Sequence, residues 1–120
     1  MIRYRLLLAL LGALSMTGPA SAQINPFRGS NATPLTRDDL AALHAASARL
    51  LSQPTLAAGQ TEAWRNDASG ASGVATAGQP VRHKGLACRV LTYEATVPGP
   101  RPERTSTLTW CKTKSGWKIG

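Results

Sequence analysis

Between Thr36 and Ser52, hydrophobic residues recur with a helical period, which predicts one amphipathic helix. Thr36 is placed to cap its N-terminus, and two aspartates follow in the first turn, where the helix dipole favours negative charge. Pro54 ends the pattern. We expect the apolar stripe to pack on a sheet, because it is narrow and the opposite side is rich in alanine. The stripe consists of Leu40, Leu43, Ser47, Leu50 and Leu51.

From residue 61 onward the helical period gives way to short alternating segments, which predict β-strands. The predicted strands span residues 61–66, 73–77, 87–97, 104–113 and 117–119. Residues 98–102 contain three prolines, which lack the N–H that a strand ladder needs. This segment is therefore predicted to be the loop of a hairpin formed by the two longest strands.

The position of that loop predicts the register of the hairpin. If Val97 and Pro102 close the loop, Cys88 lies directly opposite Cys111. Directly opposed residues at a non-hydrogen-bonded site have Cα atoms about 4.5 Å apart, which a disulfide tolerates. The sequence therefore predicts a disulfide between the two cysteines.

The same register gathers large apolar residues on one face of the hairpin, the predicted core face. These are Leu91, Tyr93, Leu108 and Trp110. On this face Arg89 lies opposite Trp110, which suggests a cation–π pair. The predicted fold class is α+β, with one N-terminal helix packed on a small antiparallel sheet or partly open barrel that contains a disulfide-linked hairpin.

The first 22 residues have the three parts of a cleavable secretory signal. Arg3 and Arg5 form a positive start, residues 6–16 are uncharged and leucine-rich, and Ala20-Ser21-Ala22 suits cleavage before Gln23. The apolar run is shorter than the ~20 residues that span a bilayer, which disfavours a transmembrane anchor. We expect a flexible leader over residues 23–35 and one domain over residues 36–120.

Export from the cytoplasm follows from this signal, which fits a bacterial signal best. An oxidising compartment would also let the cysteines pair. No cysteine lies at the predicted cleavage site directly after the apolar run, so attachment of the bacterial lipoprotein type is not expected. We predict a protein without a transmembrane segment after cleavage.

Charge narrows the class of partner. The chain carries a net charge of +8, and residues 61–120 hold nine Lys or Arg against four Asp or Glu. An exported cationic domain suits an anionic envelope component or an envelope protein, whereas the compartment disfavours nucleic acid. A role in solubility alone is the alternative interpretation. The candidate contacts for an anionic ligand are Arg65, Arg82, Lys84, Arg89, Lys112 and Lys114.

No pattern of catalytic residues is recognisable. The only histidines are His44, beside the helical stripe, and His83, in a basic stretch. Paired cysteines can serve neither as metal ligands nor as nucleophiles, and no G-x-S-x-G segment is present. We therefore predict a non-enzymatic protein without a metal or cofactor. The tryptophans are expected to pack in the core, with a platform for sugars as the alternative.

Three segments resemble the C-terminal domain of the rickettsial-type seventeen-kilodalton surface antigens. Residues 64–73 are similar to the family's W-x-N-x-x-[ST]-G-x-x-G segment, through Trp64, Asn66, Ser69, Gly70 and Gly73. Residues 85–89 are similar to its G-x-x-C-R strand. Residues 111–119 are similar to its C-x-x-x-x-G-x-W ending, except that Gly116 and Trp117 are adjacent here.

The resemblance spans residues 60–120 and implies a small β-rich envelope domain of outer-membrane or periplasmic proteins of Gram-negative bacteria, with no catalytic residue. Many members of that family are lipoproteins with a glycine-rich segment before the domain. This chain has the predicted helix there instead, which favours a periplasmic location. Two functions are therefore expected as alternatives: binding of an anionic envelope component or partner protein, or envelope assembly through docking of the helix.

Overall fold

A computed structural model describes residues 24–28, 33–99 and 103–120. The predicted signal peptide and loop residues 100–102 lie outside these ranges. One helix, α1 (Arg37–Leu51), is followed by five strands. The strands are β1 (Thr61–Asn66), β2 (Ala71–His83), β3 (Leu86–Thr96), β4 (Glu103–Thr113) and β5 (Gly116–Ile119).

The strands form one antiparallel sheet in the order β1-β2-β3-β4-β5, so each strand pairs with its neighbour in the chain. The sheet curls into a half-barrel, and α1 packs on its concave face. This arrangement confirms the α+β class. No helix in the described ranges is long and apolar enough to cross a membrane.

Helix α1 begins with a complete capping box. The side chain of Thr36 accepts a hydrogen bond from the backbone N–H of Asp39, and the Asp39 carboxylate accepts one from the N–H of Thr36. These bonds satisfy two polar groups at the helix start, where intrahelical partners are missing. The predicted stripe is buried except for Leu40, which is partly buried.

Small side chains on β2 let the helix lie close to the sheet. Ala71, Ala75 and Ala77 are almost fully buried, and Gly73 continues the same row. The indole of Trp64 fills the space over Gly73, where a Cβ atom would lie 2.5 Å from the indole Nε1. A larger residue at position 73 would therefore displace either the tryptophan or the strand.

The predicted register of the β3–β4 hairpin is confirmed. Cys88 pairs with Cys111, and a disulfide joins them with a Cα–Cα distance of 4.0 Å. Leu91 pairs with Leu108 on the concave face. Of the predicted core residues, Leu91, Tyr93 and Trp110 are buried, and Leu108 is partly buried.

Strand β2 is longer than the predicted 73–77, and it continues past Pro80 to His83. The pairing with β3 shifts between Ala77 and Pro80. Strand β1 pairs only with residues 71–76, so the later part of β2 is an edge of the sheet. Proline is tolerated at edges and bulges, which explains why Pro80 does not end the strand.

Part of the predicted leader contributes to the core. Phe27 and Leu35 are buried. The guanidinium of Arg104 lies 5.8 Å from the Phe27 ring centre and donates a hydrogen bond to the carbonyl oxygen of Thr33. These contacts connect the chain before α1 to the start of β4.

Candidate anion-binding surface

Two hairpin turns lie together at one end of the sheet. Strand β3 runs antiparallel to both β2 and β4 and begins where they end, so the β2–β3 turn at residues 84–85 neighbours the β4–β5 turn at residues 114–115. We call residues 80–89 and 110–119 the basic end. The opposite end, which carries the β1–β2 turn and the start of α1, is called the covered end.

Five of the six predicted anion contacts lie at the basic end. A further cation at this end, Lys118, was not among the predicted contacts. It lies on β5, where it pairs with Cys111. The sixth predicted contact, Arg65, lies on β1 and forms an ion pair of 2.7 Å with Asp67. The cations of the basic end are Arg82, Lys84, Arg89, Lys112, Lys114 and Lys118.

Every acidic residue of the chain lies outside the basic end. Residues 76–93 and 104–120 contain no Asp or Glu. Glu94 is five positions from Arg89 along β3, about 17 Å at ~3.4 Å per residue. That separation exceeds the ~8 Å screening length at physiological salt. The two ion pairs among the described residues, Arg49–Glu62 and Arg65–Asp67, both involve β1, so the positive charge of the basic end is unbalanced.

One row of the concave face brings two exposed cations together. Arg82 pairs with Ala87, the adjacent position on β4 is Lys112, and Lys112 pairs with Trp117. Strands β2 and β4 are two strand spacings apart, about 10 Å. The small side chain of Ala87 lies between the two cations. The row can therefore receive an anionic group from the concave side.

Arg89 is partly buried, whereas the other cations of the basic end are exposed. It pairs with Trp110 in the register as predicted, but its guanidinium donates to the carbonyl oxygens of Gly78, at 3.1 Å, and Leu56. These bonds fasten the segment after α1 to the sheet. Arg89 therefore contributes positive charge from a fixed position, while Lys112 and Lys114 are exposed.

Exposed apolar side chains accompany the cations. Val81, Leu86 and Ile119 are the large hydrophobic residues that are exposed in the described ranges, by 40%, 38% and 44%. All three belong to the basic end. Cations beside exposed apolar groups are typical of surfaces that bind amphipathic or lipid-like anions.

A cleft of about 240 Å³ separates the later half of α1 from the end of the sheet. We call it the tryptophan cleft, because Trp110 and Trp117 form its sheet side. The His44 ring lies 6.5 Å from the Trp110 ring, between centroids. The lining residues are His44, Ala48, Leu51, Ser52, Trp110 and Trp117.

A buried hydroxyl group, that of Tyr93, fixes the position of Trp110 in the wall of this cleft. The indole N–H of Trp110 donates to the hydroxyl of Tyr93 at 2.9 Å, and that hydroxyl is 2.8 Å from the hydroxyl of Ser47 on α1. Burial raises the pKa of Tyr93, and the hydrogen bonds of Ser47 and Trp110 offset only part of this effect. Tyr93 is therefore protonated at neutral pH and connects helix and sheet.

The first of the three segments that carry the resemblance, residues 64–73, has a structural role at the covered end. Asn66 and Ser69 donate to one oxygen of the buried Asp39 carboxylate, at 2.8 and 2.6 Å. Gly70 has a φ of +76°, which favours glycine. Burial by itself raises the pKa of Asp39, but the hydrogen bonds of Ser69, Thr36 and Asn66 outweigh it and lower the pKa below 3.8. The motif therefore docks the β1–β2 turn on α1.

A larger and more open cleft, of about 580 Å³, lies beside that turn. Its lining includes Arg65, Asp67 and Glu94, so both signs of charge are present. The cation there is already paired with Asp67. This cleft consequently favours an anion less than the basic end does.

In the ranges that the structure describes, no group of three or more His, Cys, Asp or Glu residues could hold a metal ion. No protein-family model, curated protein or solved structure matches the chain.

Proposed function

We propose that this protein is a non-enzymatic, exported envelope protein that binds an anionic component of the cell envelope through its basic end. The observation that carries the proposal is the segregation of charge: six cations and no acidic residue share one end of the sheet. Export rests on the N-terminal signal, and the disulfide is compatible with an oxidising compartment. The resemblance to surface-antigen domains is part of the same proposal.

The strength of such binding follows from the number of exposed cations. Each Lys or Arg near an anionic lipid surface contributes about 1 kcal/mol. Five exposed cations, without Arg89, would therefore contribute about 5 kcal/mol, a Kd on the order of 0.1 mM. The proposal consequently requires a ligand with several anionic groups, or one that also uses apolar contacts. Salt should weaken the binding strongly.

Docking of the helix on a partner has less support. The apolar stripe of α1 is buried against the sheet, with Leu43 and Leu50 fully covered. What α1 presents to solvent is mainly alanine and arginine. The basic end is therefore the better candidate for the binding surface.

The test compares two variants with the same net charge. Lys84→Gln/Lys112→Gln/Lys114→Gln removes three exposed cations from the basic end. Arg28→Gln/Arg37→Gln/Arg65→Gln removes three exposed cations from outside it. The protein is secreted from its full-length precursor, kept oxidised and titrated with soluble polyphosphate, which represents envelope phosphates.

We expect the basic-end variant to bind about 100-fold more weakly, from about 3 kcal/mol for three cations. The matched control should change affinity less than threefold. Equal losses of affinity in both variants would show that net charge alone governs binding. The basic end would then have no specific role in it, in line with the solubility interpretation. Absence of wild-type binding at low salt would refute the proposed function.

A further inference from the structure

We infer that the tryptophan cleft binds the apolar part of a small amphipathic anion, while the anionic group lies on Lys112 and Arg82. This inference rests on the proposed function and specifies its ligand class. The relevant ligand has one charged head, such as a phosphate or carboxylate, joined to a ring or an acyl chain. It binds as a single molecule between the helix and the sheet.

The size of the cleft suits part of such a ligand. Its volume of about 240 Å³ exceeds the ~150 Å³ of an apolar cavity that holds benzene. It is smaller than the ~300 Å³ at which pockets for whole drug-sized ligands begin. The cleft can therefore take a ring or a short acyl segment, and the rest of the ligand must lie outside it.

The walls of the cleft are mostly apolar, with His44 and Ser52 as the polar lining residues. Leu51 and Ala48 line the helix side, and the two indoles line the sheet side. Trp110 is fixed by its hydrogen bond to Tyr93. Trp117 is only partly buried, so its indole offers a surface on which a ligand can pack. A preformed apolar wall reduces the entropy that a ligand loses on binding.

Two cations lie on the strand row that contains Trp117, at the edge of the cleft. Lys112 is the cross-strand partner of Trp117, and the Cβ atoms of such partners lie about 4.5–5.5 Å apart on the same face. Arg82 lies on the same row of the concave face, on β2. No acidic residue competes for these two cations within the basic end. Charge complementarity therefore selects an anion over a neutral amphiphile.

The shape of the site favours a single molecule over a membrane surface. The cleft lies on the concave face and α1 forms one of its walls. A planar bilayer contacts convex or protruding surfaces, whereas a free amphiphile can enter a cleft. The inference therefore commits to a soluble amphipathic anion as the occupant.

The test uses three probes below their micellar concentrations: decyl phosphate, decyl maltoside and inorganic phosphate. Ala48→Phe places a ring in the cleft from an exposed helix position. Ala45→Phe is the matched control, because Ala45 is equally exposed but lines the flank of α1 that faces β1. Calorimetry gives the Kd, and tryptophan fluorescence reports contact with the indoles.

We expect decyl phosphate to bind the wild type at least tenfold more tightly than either other probe. Ala48→Phe should raise the Kd for decyl phosphate at least tenfold, and Ala48→Leu should raise it by a smaller factor. Ala45→Phe should stay within twofold of the wild type. Lys112→Gln should weaken the binding of decyl phosphate and leave the binding of decyl maltoside unchanged.

Equal affinities of Ala48→Phe and Ala45→Phe would overturn the inference, and so would equal binding of decyl phosphate and decyl maltoside. Polyphosphate separates the two proposals, because its binding does not need the cleft. If polyphosphate binds at the basic end and decyl phosphate binds no better than inorganic phosphate, only the inference fails. If polyphosphate does not bind, the proposed function fails as well.

Discussion

The covered end and the basic end of this small protein are stabilised in different ways. At the covered end, α1 packs on the alanine row of β2, and the buried carboxylate of Asp39 is satisfied by Asn66 and Ser69. Both ion pairs involve β1. At the basic end the last rows of the sheet carry like charges and exposed apolar residues, and a disulfide joins β3 to β4.

This difference separates the residues that stabilise the fold from those proposed to bind an anion. Nearly all of the buried core lies outside the basic end, and at the covered end the hydrogen bonds to Asp39 hold the β1–β2 turn on the helix. The basic end has unbalanced positive charge that opposes compactness. A covalent link there limits the effect of the repulsion on the hairpins. The two ends can therefore be tested independently by substitutions.

Removal of the disulfide should have the largest effect on stability. The Cys88→Ala/Cys111→Ala variant is expected to lose about 3 kcal/mol of unfolding free energy, the order expected for a loop of this length. Urea denaturation measures the loss, and reduction of the wild type provides the control. Hydrogen exchange should accelerate mainly in residues 82–89 and 110–118. A loss below about 1 kcal/mol, or faster exchange centred on α1, would contradict the comparison.

Asp39→Asn should lower the free energy of unfolding by about 2 kcal/mol at pH 7, because a charged acceptor of hydrogen bonds is lost from a buried position. The folded-state pKa of Asp39 lies below its ordinary value of 3.8. The contribution of this carboxylate is therefore fully present above pH 3.8 and is lost as the pH falls through the folded pKa. Denaturation curves between pH 7 and pH 2 should show the wild type and the variant converging in acid.

The outcome for Asp39 has a clear control. Asp38 lies in the same helical turn but is exposed. Asp38→Asn should change stability by only a few tenths of a kcal/mol, through the helix dipole. A difference between wild type and Asp39→Asn that stays constant down to pH 2 would argue against the carboxylate network.

Tyr93→Phe should lower the free energy of unfolding by about 1.5 kcal/mol, because the indole N–H of Trp110 loses its hydrogen-bond acceptor in the core. Ser47→Ala should lower the free energy of unfolding by less, since the hydrogen bond between Tyr93 and Trp110 remains. Thermal unfolding with circular dichroism measures both. The reverse order of the two losses would mean that the helix contact, and not the Trp110 contact, dominates this network.

Charge removal at the basic end should have the smallest effect on stability, and of the opposite sign. The Lys84→Gln/Lys112→Gln/Lys114→Gln variant is expected to gain about 0.5 kcal/mol at low salt, because like charges are removed, and less at high salt. The control triple variant breaks the Arg65–Asp67 pair and should show no gain. Destabilisation by the basic-end variant would indicate that these lysines have partners that hold the fold.

Much of the fold was predictable from the sequence, because local rules and long-range constraints agreed. The prolines placed the β3–β4 loop, and the same register aligned Cys88 with Cys111 and the apolar residues. Thr36 and the following aspartates predicted the start of α1. The extent of β2 was not predictable in the same way. The tolerance of Pro80 depends on where β1 ends, which is a property of the assembled sheet.

The proposed binding surface was predictable only in part. The candidate cations were visible in the sequence, but their gathering at one end depends on the β2–β3 pairing, whose shift near Pro80 hides the alignment of Arg82 with Lys112. The role of Asn66 and Ser69 required the position of Asp39, 27 and 30 residues earlier in the chain. The tryptophan cleft arises from the gap between α1 and β4–β5, which no local pattern encodes.

The most direct test of the central claim maps the bound anion on the protein. Amide ¹H–¹⁵N spectra of the oxidised protein are recorded during titration with polyphosphate at low salt. The account predicts that shifts concentrate in residues 82–89 and 110–118, while β1 and the β1–β2 turn stay unchanged, and that added salt reverses them. Shifts spread evenly over exposed cations, or centred on Arg37 and Arg65, would contradict the assignment of binding to the basic end.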